Sequence, residues 1–256
     1  MKTNLVKVAL MAAAFVVGFS SCDDDDPTYT VTLAVNPSNA GTVTGGGDYK
    51  KGDIIQLTAT ANENFYFVSW TEGTNELSTE ATFDYTVGDK DVTLTANFNE
   101  KKIVTLGAQS NTTFPGFLSV SEGATYNFNE ASSHQAAVDI FCFYEVGNDI
   151  ALASPGSNIT GIFGGTETDP ANWTTKNTTL FNQVTTLTVA QFDTIPNGDA
   201  NIQTYYSADA ARKKAKLLIK DNIYAFKTQN GTYGLLKVID VSVGADGFIK
   251  FEYKTK

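Results

Sequence analysis

The stretch NIYAFKTQNGTYGLLKVIDVSVGADGFIKFEYKTK, residues 222–256, decides the architecture. Three strands are written in it, at 223–228, 233–243 and 248–253, because β-branched and aromatic residues fill each run and turn residues bound it. Asn230-Gly231 is the dipeptide best suited to a two-residue hairpin, whose central positions need positive φ. The glycine-bounded segment 244–247 supplies the second reversal. These runs predict an antiparallel meander closing a β-rich domain with few, short helices.

Working back from the meander, VDIFCFY at 138–144 is a nearly continuous apolar run of strand length, read as the central strand of the same domain. Cys142 lies inside it with no base or helix start beside it in the sequence, so it is read as a small buried hydrophobe rather than a catalytic thiol. IVTLGAQ at 103–109 is a further strand, and 114–128 reads as strand, Gly123 turn and strand. EASSHQAA at 130–137 has helical propensity over about two turns. The segment 145–206 loosens into a glycine- and proline-punctuated region carrying Phe163 and Trp173. Such long irregular stretches are more often functional than idle. Two readings of these aromatics stand: plugs that seat the loop on the sheet, or the rim of a binding surface. Residues 188–194 and 208–217 are predicted helical. In the second, Arg212, Lys213, Lys214 and Lys216 form a solvated basic face. Tyr205 and Tyr206 stand just before it, and with Phe163 and Trp173 they are the candidate ligand-binding residues.

Residues 29–99 carry period-two patterning. YTVTLAV, IIQLTATA, NFYFVSW, ATFDYTV and DVTLTANF make about five strands, with Phe65, Phe67 and Ser69 opposed to Tyr66, Val68 and Trp70. Val43 to Gly46, Tyr49, Gly52, LTATA at 57–61, Phe67, Ser69-Trp70, Thr82-Phe83 and LTANF at 94–98 together resemble the divergent InlB B-repeat family of bacterial surface proteins. The resemblance implies a small β module of the spacer, stalk or adhesion kind, here in one copy. Trp70 reads as a core residue, with a sugar platform as the alternative. A polar joint, Glu100-Lys101-Lys102, leads into the second domain at 101–256 with no flexible linker.

At the start of the chain, Lys2 and Lys7 precede a short apolar run at 8–19, and Ser20-Ser21 lead into Cys22 and the aspartates 23–26. The run is too short for an ordinary membrane span and reads as an export signal, residues 1–21. Cys22 and the acidic linker after it, residues 22–28, resemble the lipoproteins of Bacteroides-type bacteria. The resemblance implies lipidation of Cys22 and an outer-membrane, surface-exposed location. The hairpins of 222–254 resemble those of the HmuY-like lipoprotein family, whose best known members bind haem through two histidines. This chain has a single histidine, His134, so bis-histidine ligation cannot occur within it.

Removing 1–21 leaves 16 basic residues against 28 acidic, a poor match for phosphate backbones, so nucleic acid is excluded as a partner. With Cys22 lipidated, Cys142 has no disulfide partner. Neither a GxSxG, an HExxH, a phosphate-binding loop nor a CxxC motif is present. These readings converge on a monomeric, non-catalytic surface lipoprotein without metal or cofactor, binding an extracellular glycan or a host or matrix protein. Capture of haem or a similar small ligand, and an extracellular polysaccharide-processing enzyme or its accessory using carboxylates of 149–169, are the alternatives.

Overall fold

The computed structural model describes residues 26–164 and 167–256. The first domain contains β1 (Thr28–Asn36), β2 (Gly41–Thr44), β3 (Gly47–Lys50), β4 (Ile54–Ala61), β5 (Phe65–Glu72), β6 (Asn75–Ser78), β7 (Thr82–Thr86) and β8 (Val92–Glu100). Three short strands thus join the five read from the sequence. They form a five-stranded sheet, ordered β3-β1-β8-β5-β6, and a three-stranded sheet, β2-β4-β7. All pairs are antiparallel except β1 and β8, which run parallel from Val31↔Val92 to Asn36↔Asn97.

One detail corrects the strict alternation expected of β5. The register slips between Phe67 and Ser69, so the chain spends an extra residue there and changes phase. Phe67 and Trp70, which alternation would place on opposite faces, therefore meet in one core with their ring centroids 6.2 Å apart. Trp70 is fully buried among Leu57, Leu94 and Phe98, and its indole N–H donates to the Ala81 carbonyl at 3.2 Å. It is a core residue, and the sugar-platform alternative does not hold.

The second domain contains β9 (Lys102–Gly107), β10 (Phe117–Ser119), β11 (Ala124–Tyr126), α1 (Phe128–Ala131), β12 (Ile140–Glu145), β13 (Asp149–Ala153), β14 (Leu180–Gln183), α2 (Val189–Thr194), β15 (Lys214–Ala215), β16 (Ile223–Lys227), β17 (Tyr233–Ser242) and β18 (Phe248–Thr255). Two five-stranded sheets, β11-β10-β12-β13-β15 and β14-β16-β17-β18-β9, face each other as a sandwich. The meander β16-β17-β18 and the central position of β12 match the sequence reading.

Each sheet is covered on both faces, which explains the unbroken apolar runs. From β12, Ile140 and Cys142 point into the sandwich, while Phe141 and Phe143 point outward under the segment that carries Ile159 and Trp173. From β16, Tyr224 and Phe226 point inward, while Ile223 and Ala225 lie beneath Phe192 of α2 and Ile202. Burial pushes the Cys142 thiol far up, so it is inert as a nucleophile. Two helical expectations are corrected. α1 is a single turn set by a capping box between Asn127 and Glu130, and residues 132–137 continue as turns. Residues 208–217 form no helix: Lys214 and Ala215 pair with Ala153 and Leu152 of β13, and Arg212 bridges Phe181. Helix formers are held extended there because the sheet edge offers partners that an isolated helix lacks.

α2 begins at a Thr188/Gln191 capping box and lies over a charged group on the outer face of the meander. Lys237 and Glu252, cross-strand neighbours in β17 and β18, are 3.3 Å apart, and Lys237 also pairs with Asp193. The Lys254 side chain is only 3% exposed. Its ammonium donates to the Phe192 carbonyl at 2.7 Å and to that of Ile195, closing the end of the helix. It also lies 5.7 Å from the centre of the Tyr66 ring, and the Asn197 amide donates to the Tyr66 hydroxyl at 3.2 Å, so the first domain rests against this corner.

Burial pushes the Lys254 pKa down to about 8 from 10.5. Below pH 8 the lysine is protonated in both folded and unfolded chains. Between pH 8 and 10.5 the unfolded chain keeps a proton that the folded chain has released, so stability rises with pH. Relative to Lys254→Met, the wild-type protein is expected to gain up to about 3 kcal/mol across this window. Urea unfolding of both proteins at pH 7, 9 and 10.5 checks it, and a flat difference would contradict it.

Candidate functional site

The four aromatic candidates do not form one surface. Trp173 is 3% exposed, packed at 5.6 Å on Phe117, with its N–H donated to the Thr168 carbonyl at 3.3 Å. This corrects the binding-rim reading of Trp173, since a sugar platform needs an open ring face. Phe163 is half-buried in the same cluster, 5.0 Å from Phe128 and 5.4 Å from Phe141, and helps seat the loop on the sheet. Cys22 lies outside the described residues. His134 is exposed, stacks at 4.4 Å on Tyr126 and shares a hydrogen bond with the Glu130 carbonyl. That bond makes Nδ1 the protonated nitrogen.

Tyr205 and Tyr206 differ. They end a 3-10 turn, Ala200–Tyr205, that packs on the outer face of the meander through Ile202, and both remain half-exposed. Asn182 fixes their backbone: its amide donates to the Tyr205 carbonyl at 3.1 Å and its carbonyl accepts the Ser207 N–H at 3.0 Å. Tyr206 meets Tyr233 edge to face at 5.6 Å, and the Lys227 ammonium stands 4.9 Å over the Tyr233 ring. The outcome is a pair of partly open aromatic faces on a rigid sheet. Tyr233 was not among the sequence candidates; its place opposite Lys227 in the β16-β17 ladder is the signal that could have found it.

Beyond Asn182 the two sheets of the sandwich diverge around a cleft of about 510 Å³. The extended run after Ala211 sends Arg212, Lys214 and Lys216 into it, since every second residue of a strand shares a side. Among the described residues, Lys214 alone of the three forms an ion pair, at 2.8 Å to Glu145. The Lys214 hydrogen bond, assisted by Asn148, holds the Glu145 carboxyl below the usual range. Leu217 and Ile219, 52% and 61% exposed, add an apolar margin. Among the described residues no cluster of three or more His, Cys, Asp or Glu is disposed to hold a metal ion.

Residues 31–102 match the family model of the divergent InlB B-repeat domain. A DUF4466 family protein from Parabacteroides merdae ATCC 43184, known from a crystal structure, is similar over 88% of this chain and 93% of that chain, at 14% sequence identity and a TM-score of 0.45. No curated protein matches the chain.

Proposed function

We propose that the protein is a non-catalytic binding lipoprotein of the bacterial surface, anchored through Cys22. The B-repeat domain holds the larger domain away from the membrane, and that domain engages an extracellular glycan or protein. The observation carrying this reading is the half-exposed Tyr206–Tyr233 pair, with Tyr205 beside it, on a backbone pinned by Asn182. Aromatic faces cover the apolar face of a sugar, or a partner's side chain, at little conformational cost. The HmuY-like resemblance of 101–256 belongs to this proposal as an architecture without haem chemistry, His134 being engaged with Tyr126 and Glu130.

The test compares cells carrying wild-type protein, Cys22→Ser, or Tyr206→Ala/Tyr233→Ala against a panel of neutral glycans and matrix proteins. Wild-type cells are expected to retain a ligand. Cys22→Ser moves that binding into the medium, and the double tyrosine variant loses at least tenfold in affinity, about 1.4 kcal/mol. Binding that survives loss of both tyrosines would remove this surface from the function. A Cys22→Ser protein that stays on the cells would remove the anchor.

A further inference from the structure

We propose that the basic cleft between β14 and the extended segment 212–216 is a binding site for an acidic oligosaccharide, a glycan bearing uronic-acid carboxylates. This goes beyond the tyrosine surface, which it adjoins at Asn182, and stands without it. The first ground is charge. The chain carries a net charge of −10, yet Arg212, Lys214 and Lys216 project into one cavity. Lys213 joins the last two and Arg212 around a neighbouring hollow of about 450 Å³. Glu145 is taken up by Lys214. Arg212 donates to the neutral carbonyls of Asp209 and Ala211, so its charge is left without a carboxylate among the described residues. In a largely acidic surface such a concave positive site concentrates an anion selectively.

The second ground is the rest of the lining. Gln183 and Asn222 present amides, and Tyr224 donates its hydroxyl to the Lys216 carbonyl at the cleft floor. Amides suit the paired donors and acceptors of sugar hydroxyls, the cations suit carboxylates, and the apolar margin suits C–H faces. The volume falls within the range of small-ligand sites, about 300–1,000 Å³. An added peptide strand is disfavoured because the facing edges of β14 and β15 are already bridged at Phe181 and Arg212. Lys214 and Ala215 pair with β13, Arg212 and Phe181 exchange both backbone hydrogen bonds, and Leu217 donates to Asn148. That bridge interrupts the edges along which an added strand would have to pair.

The experiment is calorimetric titration of the full mature protein with tetragalacturonate, its methyl ester and hexaglutamate, each at low and high salt. The free-acid sugar is expected to bind, to weaken as salt is raised, and to lose at least tenfold in affinity in Arg212→Ala/Lys216→Ala. Both side chains are exposed, so that variant should melt as wild type does. The ester and hexaglutamate are expected to bind at least tenfold more weakly than the free-acid sugar. No binding of tetragalacturonate, equal binding of its ester, or binding unchanged in the double variant would overturn the site. Hexaglutamate binding as tightly would overturn the sugar assignment. The Tyr206→Ala/Tyr233→Ala protein is expected to bind tetragalacturonate normally, which separates this site from the tyrosine surface.

Discussion

Trp70→Ala is expected to destabilise the first domain by roughly 3–5 kcal/mol, the cost of removing a fully buried indole from a core that cannot collapse onto the space. The ring lies 6.2 Å from Phe67 and 6.0 Å from Phe83, with rigid strands on either side. Trp70→Phe should cost clearly less, because most of the volume is kept. The Ala81 carbonyl, which also accepts from the Ala59 amide, is not left bare. In both variants Trp173 is the sole remaining tryptophan, so its fluorescence follows the second domain while circular dichroism follows both. An early transition seen by dichroism and absent from fluorescence is the expected signature. A variant melting within a degree or two of wild type would show that the core is not organised around this ring.

The second large effect is expected at Trp173. Truncation to alanine removes the ring that fastens the irregular segment to Phe117, and a loss of about 3–5 kcal/mol is expected in the second domain. The folded fraction should still bind ligand with wild-type affinity, because the indole has no open face. Denaturant titration and a binding isotherm on the same preparation separate the two outcomes. Unaltered stability with lost affinity would restore Trp173 to a binding surface.

Strand positions were legible wherever one residue in two had to be apolar. The apolar run at 138–144 specifies its strand locally, and the chain does reverse at Asn230-Gly231, but through a longer loop closed by the Thr228 amide on the Thr232 carbonyl, in which Gly231 and not Asn230 takes positive φ. What pattern reading missed depends on distant parts of the chain. Lys250, Glu252 and Lys254 alternate with Ile249, Phe251 and Tyr253 as on a solvent-facing strand, yet Glu252 and Lys254 are buried because α2 lies over them. The run 208–217 is rich in Ala, Lys and Arg, which favour helix, but pairing with β13 and Phe181 outweighs a propensity of a few tenths of a kcal/mol per residue. That difference matters for the site, since the helical reading spreads the cations around an exposed face whereas the extended chain gathers three of them into one cleft. Trp173 was ambiguous in sequence because a loop aromatic can cover a sheet or greet a ligand, and only the position of the sheet beneath it decides.

The parallel pairing of β1 with β8 also has a mechanical consequence. The chain enters the first domain at the start of β1 and leaves it for the second at the end of β8, so these two points lie at opposite ends of one strand pair. Tension applied between these two points pulls the two strands lengthwise past each other. The rungs from Val31↔Val92 to Asn36↔Asn97 are then loaded together in shear, where an antiparallel hairpin pulled at its open end would yield one rung at a time. A single copy of this module is in that respect a clamp built to bear a load applied between its two ends, the load that the proposed anchor and ligand would place on it.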